Sequence, residues 1–502
     1  VTTIFAFDNV SIPHSQNLRL EMRSPARHPA NPVLRRGAPG TPDAMGVQFY
    51  GSVLREGGRF RMWYVAFDDD AGNKAASARW RAAYAESADG LNWIKPGLGL
   101  VEFRGNKNNN LILTDPAPLG LINVKVLRDD DDPDPQRRYK ITGHVYFRGQ
   151  RRLGTLAPFT SADGWRWKLV REARPVRAEL RAEDLVLPPI HFEPCGGLYK
   201  WDGLFYAIGQ NALNAPRPYQ GRVTRMYRSA DFVTWSQTQT IGFVRAPQHT
   251  PLGPGRSLEG EQTHEGISVW HRGNVLLGIV GLWHGAKEWK DVSVDLGFVL
   301  SNDGQNFREP AHEWTWLRRG ADGQWDQGGL LQGQGFENIG DQTFVYYGAW
   351  DPRGTGGPAQ PRGGVGIAVL PRDRFGDLVV ETAGEGRGDY QLPRVTSEFI
   401  TASIPAPAGG PLRFHLNADG LGSEAVMRIE LLDHFERPVP GYSGKDAAVI
   451  RQSGFQTPIA WNGKTAVSGL PDRIRLHVLF EGKRRTDIRF SALYVQPAAV
   501  AR

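Results

Sequence analysis

SADGLNW (Ser87–Trp93), SADGWRW (Ser161–Trp167), SADFVTW (Ser229–Trp235) and SNDGQNF (Ser301–Phe307) are four copies of one short segment, and LPRDRFG (Leu370–Gly376) is a looser fifth. Their aspartates, Asp89, Asp163, Asp231, Asp303 and Asp373, follow one another at intervals of 74, 68, 72 and 70 residues. A near-constant period marks a repeat architecture in which each copy is one supersecondary unit. In four copies a Ser, a turn-forming Asp and an aromatic four residues past the Asp describe a hairpin turn whose aromatic packs back on its sheet. Five such units predict an all-β fold built on a five-bladed β-propeller.

Working outward, each turn is preceded by an apolar strand, a polar turn and a second strand rich in aromatics: RFRMWYVAF (Arg59–Phe67), RRYKITGHVYF (Arg137–Phe147), GLFYAIGQN (Gly203–Asn211), NVLLGIVGLW (Asn274–Trp283) and QTFVYYGAW (Gln342–Trp350). Alternation and β-branched or aromatic content make these strands. The propeller is expected over residues 31–384. Residues 1–30, with VTTIFAF and LRLEM, are expected to complete the fifth blade and close the ring, since an open ring leaves two unpaired edges. ETAGEGRGDYQLPR (Glu381–Arg394) reads as a connector. Alternating segments such as AVMRIELLD and RIRLHVLF then predict a C-terminal β-sandwich within 385–502.

Composition agrees with short strands and tight turns: 502 residues hold 60 Gly, 35 Pro and 15 Trp but only five Met. No 18-residue apolar run is present, so no membrane span is expected. The formal charge of +7 is spread over scattered Arg pairs rather than a stripe, which argues against nucleic acid as a partner. A single cysteine, Cys195, leaves no internal disulfide. The numbering begins at Val1 rather than Met, which fits removal of a leader, and a secreted or periplasmic bacterial location is the expectation.

The first strand of each blade lines the central channel, so residues of equal phase before each Asp turn should converge there. Glu193 and Glu265 each lie 38 residues before their Asp, with Asn123, Gln334 and Asp43 at 40, 39 and 46 in the other blades. Aligning blades three and four by their hairpin turns shifts the register by two, which preserves strand parity. Converging carboxylates suit glycoside hydrolysis, in which a protonated acid serves the leaving oxygen and an ionised partner attacks or activates water. Glu193, beside Phe192 and Cys195, is the expected acid because desolvation favours its protonated form. Asp43 is the first choice for the ionised partner, and Glu265 a rival for either task. His191, His264, Asn123, Gln332 and Gln334 are candidates for sugar hydroxyls, and Trp283 and Trp350 for stacking on a ring, against the alternative of blade packing. Asp129–Asp132 and Asp68–Asp70 read as solvated loops rather than calcium sites. No cofactor is called for, and a structural metal in the central channel stays open.

AYAESADGLNWIKPGLGLVEFRGNKNNNLIL (Ala83–Leu113), HPANPVL (His28–Leu34) and the LPRDRFG turn together resemble bacterial proteins similar to the amino-terminal domain of glycoside hydrolase family 32, across most of the first 380 residues. The resemblance implies the five-bladed superfamily that includes families 43, 62, 68 and 117, whose substrates include fructans, arabinans and anhydro-sugar polysaccharides. Against a WMNDPNG-like segment the chain offers TPDAMG; against RDP it has NVKV, with Asn123 where an acid belongs; against EC it has EPC (Glu193–Cys195). The resemblance therefore carries over Glu193 as acid and Asp43 as nucleophile or base. The expected function is hydrolysis of a furanose-like glycoside in an oligo- or polysaccharide. The alternatives are a non-catalytic sugar-binding propeller and a polysaccharide lyase.

Overall fold

The computed structural model describes residues 1–68, 80–116, 119–148, 152–173, 175, 179–211, 222–245, 260–312, 314–351, 362–382, 396–406 and 410–498. Among these there is no α-helix, only strands and single 3-10 turns. Five antiparallel blades form the ring. Blade one runs Gly46–Glu56, Arg59–Phe67, Trp80–Ser87 and Trp93–Ile94 from the channel outward. Blade two runs Val126–Arg128, Tyr139–Arg148, Arg152–Ser161 and Arg166–Leu169, with Leu113–Asp115 added in parallel at its edge. Blade three comprises Glu193–Trp201, Leu204–Asn211, Val223–Ser229 and Thr240–Phe243. Blade four comprises Glu261–His271, Leu276–His284, Ser293–Ser301 and Thr315–Leu317. Blade five uses Gly329–Ile339, Gln342–Trp350 and Val365–Pro371, and Ala26–Arg27 supplies its outer strand. The inner strands of blades five and one then meet in parallel at Gln334 and Ser52, which closes the ring.

The repeated segment works as a hydrogen-bonded turn. In blade one the Ser87 hydroxyl accepts from the backbone N–H groups of Asp89 and Gly90, while Asp89 Oδ1 accepts from those of Leu91 and Asn92. Blades two, three and four repeat the pattern around Asp163, Asp231 and Asp303. Against some burial, these donors hold all four carboxyls below the ordinary range. The residue after each Asp adopts positive φ: Gly90, Gly164, Gly304 and, at φ 63°, Phe232. Neighbouring blades cap these turns, with Tyr346 Oη donating to Gly90 O, Trp63 Nε1 to Gly164 O and Tyr199 Oη to Gly304 O. The same residues that turn the chain thus pin one blade to the next.

The fifth copy diverges because it faces the second domain. The Asp373 carboxylate receives the Arg272 guanidinium of blade four on both oxygens and the Tyr494 hydroxyl of the sandwich on Oδ2. The sandwich has two sheets whose central strands, Leu412–Asp419 with Arg489–Pro497 and Val426–Asp433 with Arg473–Glu481, enclose Phe399, Leu416, Ile429, Leu476 and Phe490.

Two expectations are corrected here. Most of residues 1–30 belongs to the sandwich: Thr2–Phe5 pairs with Arg489–Pro497, His14–Gln16 with Ser397–Ile400, and Leu18–Met22 with Gly376–Val380. Gly376–Val380, placed by the sequence reading inside the propeller, is also a sandwich strand. Only Ala26–Arg27 closes the fifth blade, so the chain enters through the sandwich before it reaches the ring. The connector over Glu381–Arg394 lies almost wholly outside the described residues. The acidic runs are solvated only in part: Asp130 and Asp131 are exposed, whereas Asp129 and Asp132 hold the fully buried Lys140 at 3.0 and 2.8 Å, and Asp68 is buried against Arg81 at 2.7 Å, with Asp69 and Asp70 outside the described residues.

Candidate active site

Every inner strand except that of blade two breaks register with its neighbour near the channel mouth: between Gln48 and Ser52, Glu193 and Gly197, His264 and Ile267, and Gln332 and Phe336. Such irregularities re-aim side chains without ending the sheet. Gly197 and Ile267 each stand four residues before the end of their inner strand, so they share a rung. Glu193 therefore matches Thr263, and Glu265 matches Cys195. The hairpin register is the correct one, and the equal spacing of 38 residues reflects loop lengths rather than phase. Glu265 reaches the same pocket because it sits inside the irregularity at φ 56°, followed by Gly266 at φ 84°. A Cβ on Gly266 would lie 2.8–3.0 Å from the Gly209 backbone, so only glycine allows blades three and four to approach this closely.

One side chain joins the two acids. Gln210, on the second strand of blade three, donates from Nε2 to Glu193 Oε2 at 2.5 Å and accepts at Oε1 from the Glu265 backbone N–H at 2.8 Å. Glu193 Oε1 faces His191 Nε2 at 3.3 Å. His191 Nδ1 accepts from the Gly154 N–H, so the ring proton stands on Nε2 and points at the carboxylate. Burial pushes Glu193 up, but the hydrogen bonds from His191 and the Gln210 amide outweigh it and hold the carboxyl down at about 2. Glu265 goes the other way. Burial and the adjacent Glu193 charge raise it well above the carboxylate range, and its Oε2 is enclosed without a hydrogen-bond partner. The pair divides one proton: Glu193 is ionised and Glu265 carries the hydrogen. This reverses the sequence expectation, which gave the proton to Glu193 on its apolar neighbours and did not see His191 and Gln210 folded onto it.

The surroundings come from all five blades. Tyr50 of blade one reaches across the ring to His264 Nε2 at 2.9 Å. Burial and the Arg222 charge lower His264 to about 3, and burial lowers His144 to about 4, so both rings are neutral. Cys195 Sγ lies 3.4 Å from His144 Nδ1, and burial together with the two acids raises its thiol, which stays protonated. Lys125 of blade two is fully buried and donates to the Gln332 carbonyl of blade five at 2.6 Å. On the rim, the Arg222 guanidinium lies 4.0 Å over the Trp283 ring, Trp350 stacks at 6.0 Å on His264, and Trp289 stands edge-on to Trp350 at 5.5 Å.

Several sequence candidates have other duties. Asp43 is buried in the lead-in to blade one, with its carboxylate on Lys95, the Tyr64 hydroxyl, Thr41 and the Gly37 N–H, and it contacts neither acid. Asn123 is structural: its amide donates to the Thr142 and Pro194 carbonyls and accepts from the His144 N–H. Gln334 crosses the channel to bond both backbone groups of Leu198, and Gln332 Nε2 donates to the carbonyls of His264 and Gly266. These amides brace the site rather than face a sugar. Trp283 is fully buried beneath Arg222, which leaves the partly exposed Trp350 and Trp289 as open rings. Glu193, Glu265, His191, His264 and Trp350 are brought together. The sequence reading missed Gln210, Lys125, Tyr50 and Trp289. Gln210 carried a signal, as one of the two polar residues, with Asn211, that end an otherwise largely apolar second strand. Among the described residues, no group of three or more His, Cys, Asp or Glu side chains is arranged to hold a metal ion.

No protein-family profile and no curated protein matches the chain. Solved structures do. A glycosyl hydrolase from Bacteroides ovatus is similar at 14% identity over 72% of this chain and 98% of that chain, with a TM-score of 0.46. An N-acetylgalactosamine deacetylase from F. plautii, solved in complex with blood group B trisaccharide, is similar at 16% identity over 71% and 96%, with a TM-score of 0.44. A structure described under the GH130 family of mannoside phosphorylases, which contains glycoside hydrolases that target beta-1,2 mannosidic linkages in Candida mannan, is similar at 16% identity over 69% and 93%, with a TM-score of 0.42. At this level of similarity a function has to come from the geometry of the site.

Proposed function

We propose that the propeller is a glycoside hydrolase in which Glu265 is the general acid and Glu193 the ionised partner. One observation carries this reading: two carboxyl-bearing residues on neighbouring inner strands are joined through Gln210, and their surroundings drive their protonation states apart. The protonated Glu265 serves the glycosidic oxygen. Glu193, oriented by His191 and Gln210, attacks the anomeric carbon or takes a proton from the water that does. Trp289 and Trp350 provide faces for sugar rings, and the neutral His264 and Tyr50 provide hydrogen-bonding groups. A furanose-like sugar within an oligo- or polysaccharide is the proposed substrate class, on the family resemblance of the sequence.

The test is a panel of fructosides, arabinofuranosides and pyranosides incubated with the wild type, Glu193→Gln and Glu265→Gln. Each substitution is expected to abolish hydrolysis of unactivated glycosides while the protein stays folded, and product stereochemistry read early by NMR distinguishes direct attack from water activation. Full turnover in both variants refutes the assignment. Sugar binding without turnover by the wild type would make the propeller a binding module, and an unsaturated, ultraviolet-absorbing product would make it a lyase.

A further inference from the structure

Lys125 is 0% exposed, yet among the described residues its ammonium has no carboxylate partner and bonds only to the carbonyl of Gln332. A buried ammonium without a carboxylate is costly, by several kcal/mol in effective terms. Its location is specific. The amide of Gln332 holds the carbonyls of His264 and Gly266, the two residues flanking Glu265, so Lys125 is two hydrogen bonds from the segment that carries the acid. The Tyr50 ring lies 6.0 Å from the ammonium, and the Tyr50 hydroxyl bonds to His264. The ionisable groups facing this cluster are Glu193, Cys195 and Arg222 of blade three, His264 and Glu265 of blade four, Tyr50 of blade one and His144 of blade two.

The following rests on the proposed hydrolase reading. When Glu265 acts, its O–H bond breaks as a new O–H bond forms on the leaving alcohol, and the glycosidic C–O bond breaks with its electron pair going to that oxygen. Glu193 either becomes an ester or takes the proton of the attacking water. On both routes one negative charge leaves Glu193, where His191 and Gln210 stabilise it, and appears on Glu265, which has the weak Cys195 thiol as a donor and whose Oε2 is enclosed without a partner. We propose that Lys125 is a positioning residue whose ammonium stabilises the carboxylate left on Glu265 after proton transfer. Burial lowers Lys125 to about 7, so the cation is present below that pH and lost above it.

The experiment compares wild type, Lys125→Met and Lys125→Gln on alkyl glycosides, which need a proton to leave, and on nitrophenyl glycosides, which do not. Lys125→Gln keeps a donor for the Gln332 carbonyl without the charge. Both variants are expected to lose about tenfold or more in kcat on alkyl glycosides, with roughly unchanged KM, and to lose little on nitrophenyl glycosides. The wild type should lose alkyl-glycoside activity as pH rises through about 7, and both variants should lack that limb. Wild-type behaviour of Lys125→Gln would reduce Lys125 to a hydrogen-bond brace, and equal losses on both substrates would make its role purely structural; either overturns the proposal. A second readout needs no turnover. The Glu265 carboxyl band, identified in infrared difference spectra by its loss in Glu265→Gln, should titrate at higher pH in both Lys125 variants. An unmoved titration overturns the proposal even if glycosides are hydrolysed. A moved titration in a protein that hydrolyses none retains the coupling and removes the hydrolase reading.

Discussion

Replacing Gln210 with Leu removes a side chain of similar volume but cuts both bonds at the junction of the acids. Gln210 is 2% exposed, so water does not replace what is lost. The bond to the ionised Glu193 is charge-assisted, and its loss costs about 1.5–3 kcal/mol. The Glu265 N–H, left buried without an acceptor, costs a further amount of about 1–3 kcal/mol. Because one side chain makes both bonds the terms overlap, and a destabilisation of about 3–4 kcal/mol is expected, a large share of the 5–15 kcal/mol typical of a domain. The second effect is on protonation. Glu193 lies near 2 because its donors outweigh burial, so without Gln210 it moves up toward the ordinary carboxylate value. A depressed carboxyl stabilises the fold above its unfolded pKa and loses that contribution as pH falls through the folded one. In the variant that contribution is smaller and its loss is complete at a higher pH, and the acid limb of hydrolysis, which requires Glu193 ionised, moves up with it. Urea unfolding at about pH 7 and about pH 4, with kcat/KM followed over the same range, reads both. Unchanged stability together with an unmoved acid limb would refute the role given to Gln210.

Asp43→Asn should lower unfolding stability by about 3 kcal/mol, because it leaves the Lys95 ammonium against a neutral amide, while turnover is retained; loss of turnover in a folded variant would return Asp43 to the site. Asn123→Asp should cost about 2–4 kcal/mol and add no activity, since a carboxylate there faces the Thr142 and Pro194 carbonyls with no hydrogen to give; thermal unfolding checks it. His144 and His264 stay neutral in the fold down to about 4 and about 3, whereas the unfolded chain protonates them below about 6.5. Stability should therefore fall as pH drops below about 6.5, by up to about 3 kcal/mol for His144 and about 5 kcal/mol for His264, and His264→Gln should flatten the slope in urea titrations.

The order of strands, the number of blades and the sandwich were legible in the sequence because each rests on local chemistry. A Ser–Asp turn fixes its hairpin within seven residues, and alternation marks a strand whatever lies beside it. The same locality limited the reading at the termini: LRLEM shows that it is a strand but not that its neighbour is Gly376–Val380, more than 350 residues away. The position of Glu193 at the channel mouth was equally readable, as strand parity survives an uncertain register. Its protonation was not. Its donors His191 and Gln210 meet it only once blades two and three have folded, and its charge, together with burial, then raises Glu265 of the next blade, a coupling that no spacing along the chain displays.

What the chain determined by itself is the repeating unit: five hairpin-bearing sheets and the polar residues that begin their inner strands. Which of those polar residues brace the ring and which remain open for chemistry was decided only in three dimensions. Asn123, Gln332, Gln334 and Glu193 look alike in sequence, and the first three donate their amide hydrogens to backbone carbonyls of other blades. The physical reason is that a hydrogen bond across the channel joins residues set by ring closure, and electrostatic shifts depend on distance and burial, neither of which is carried by spacing along the chain.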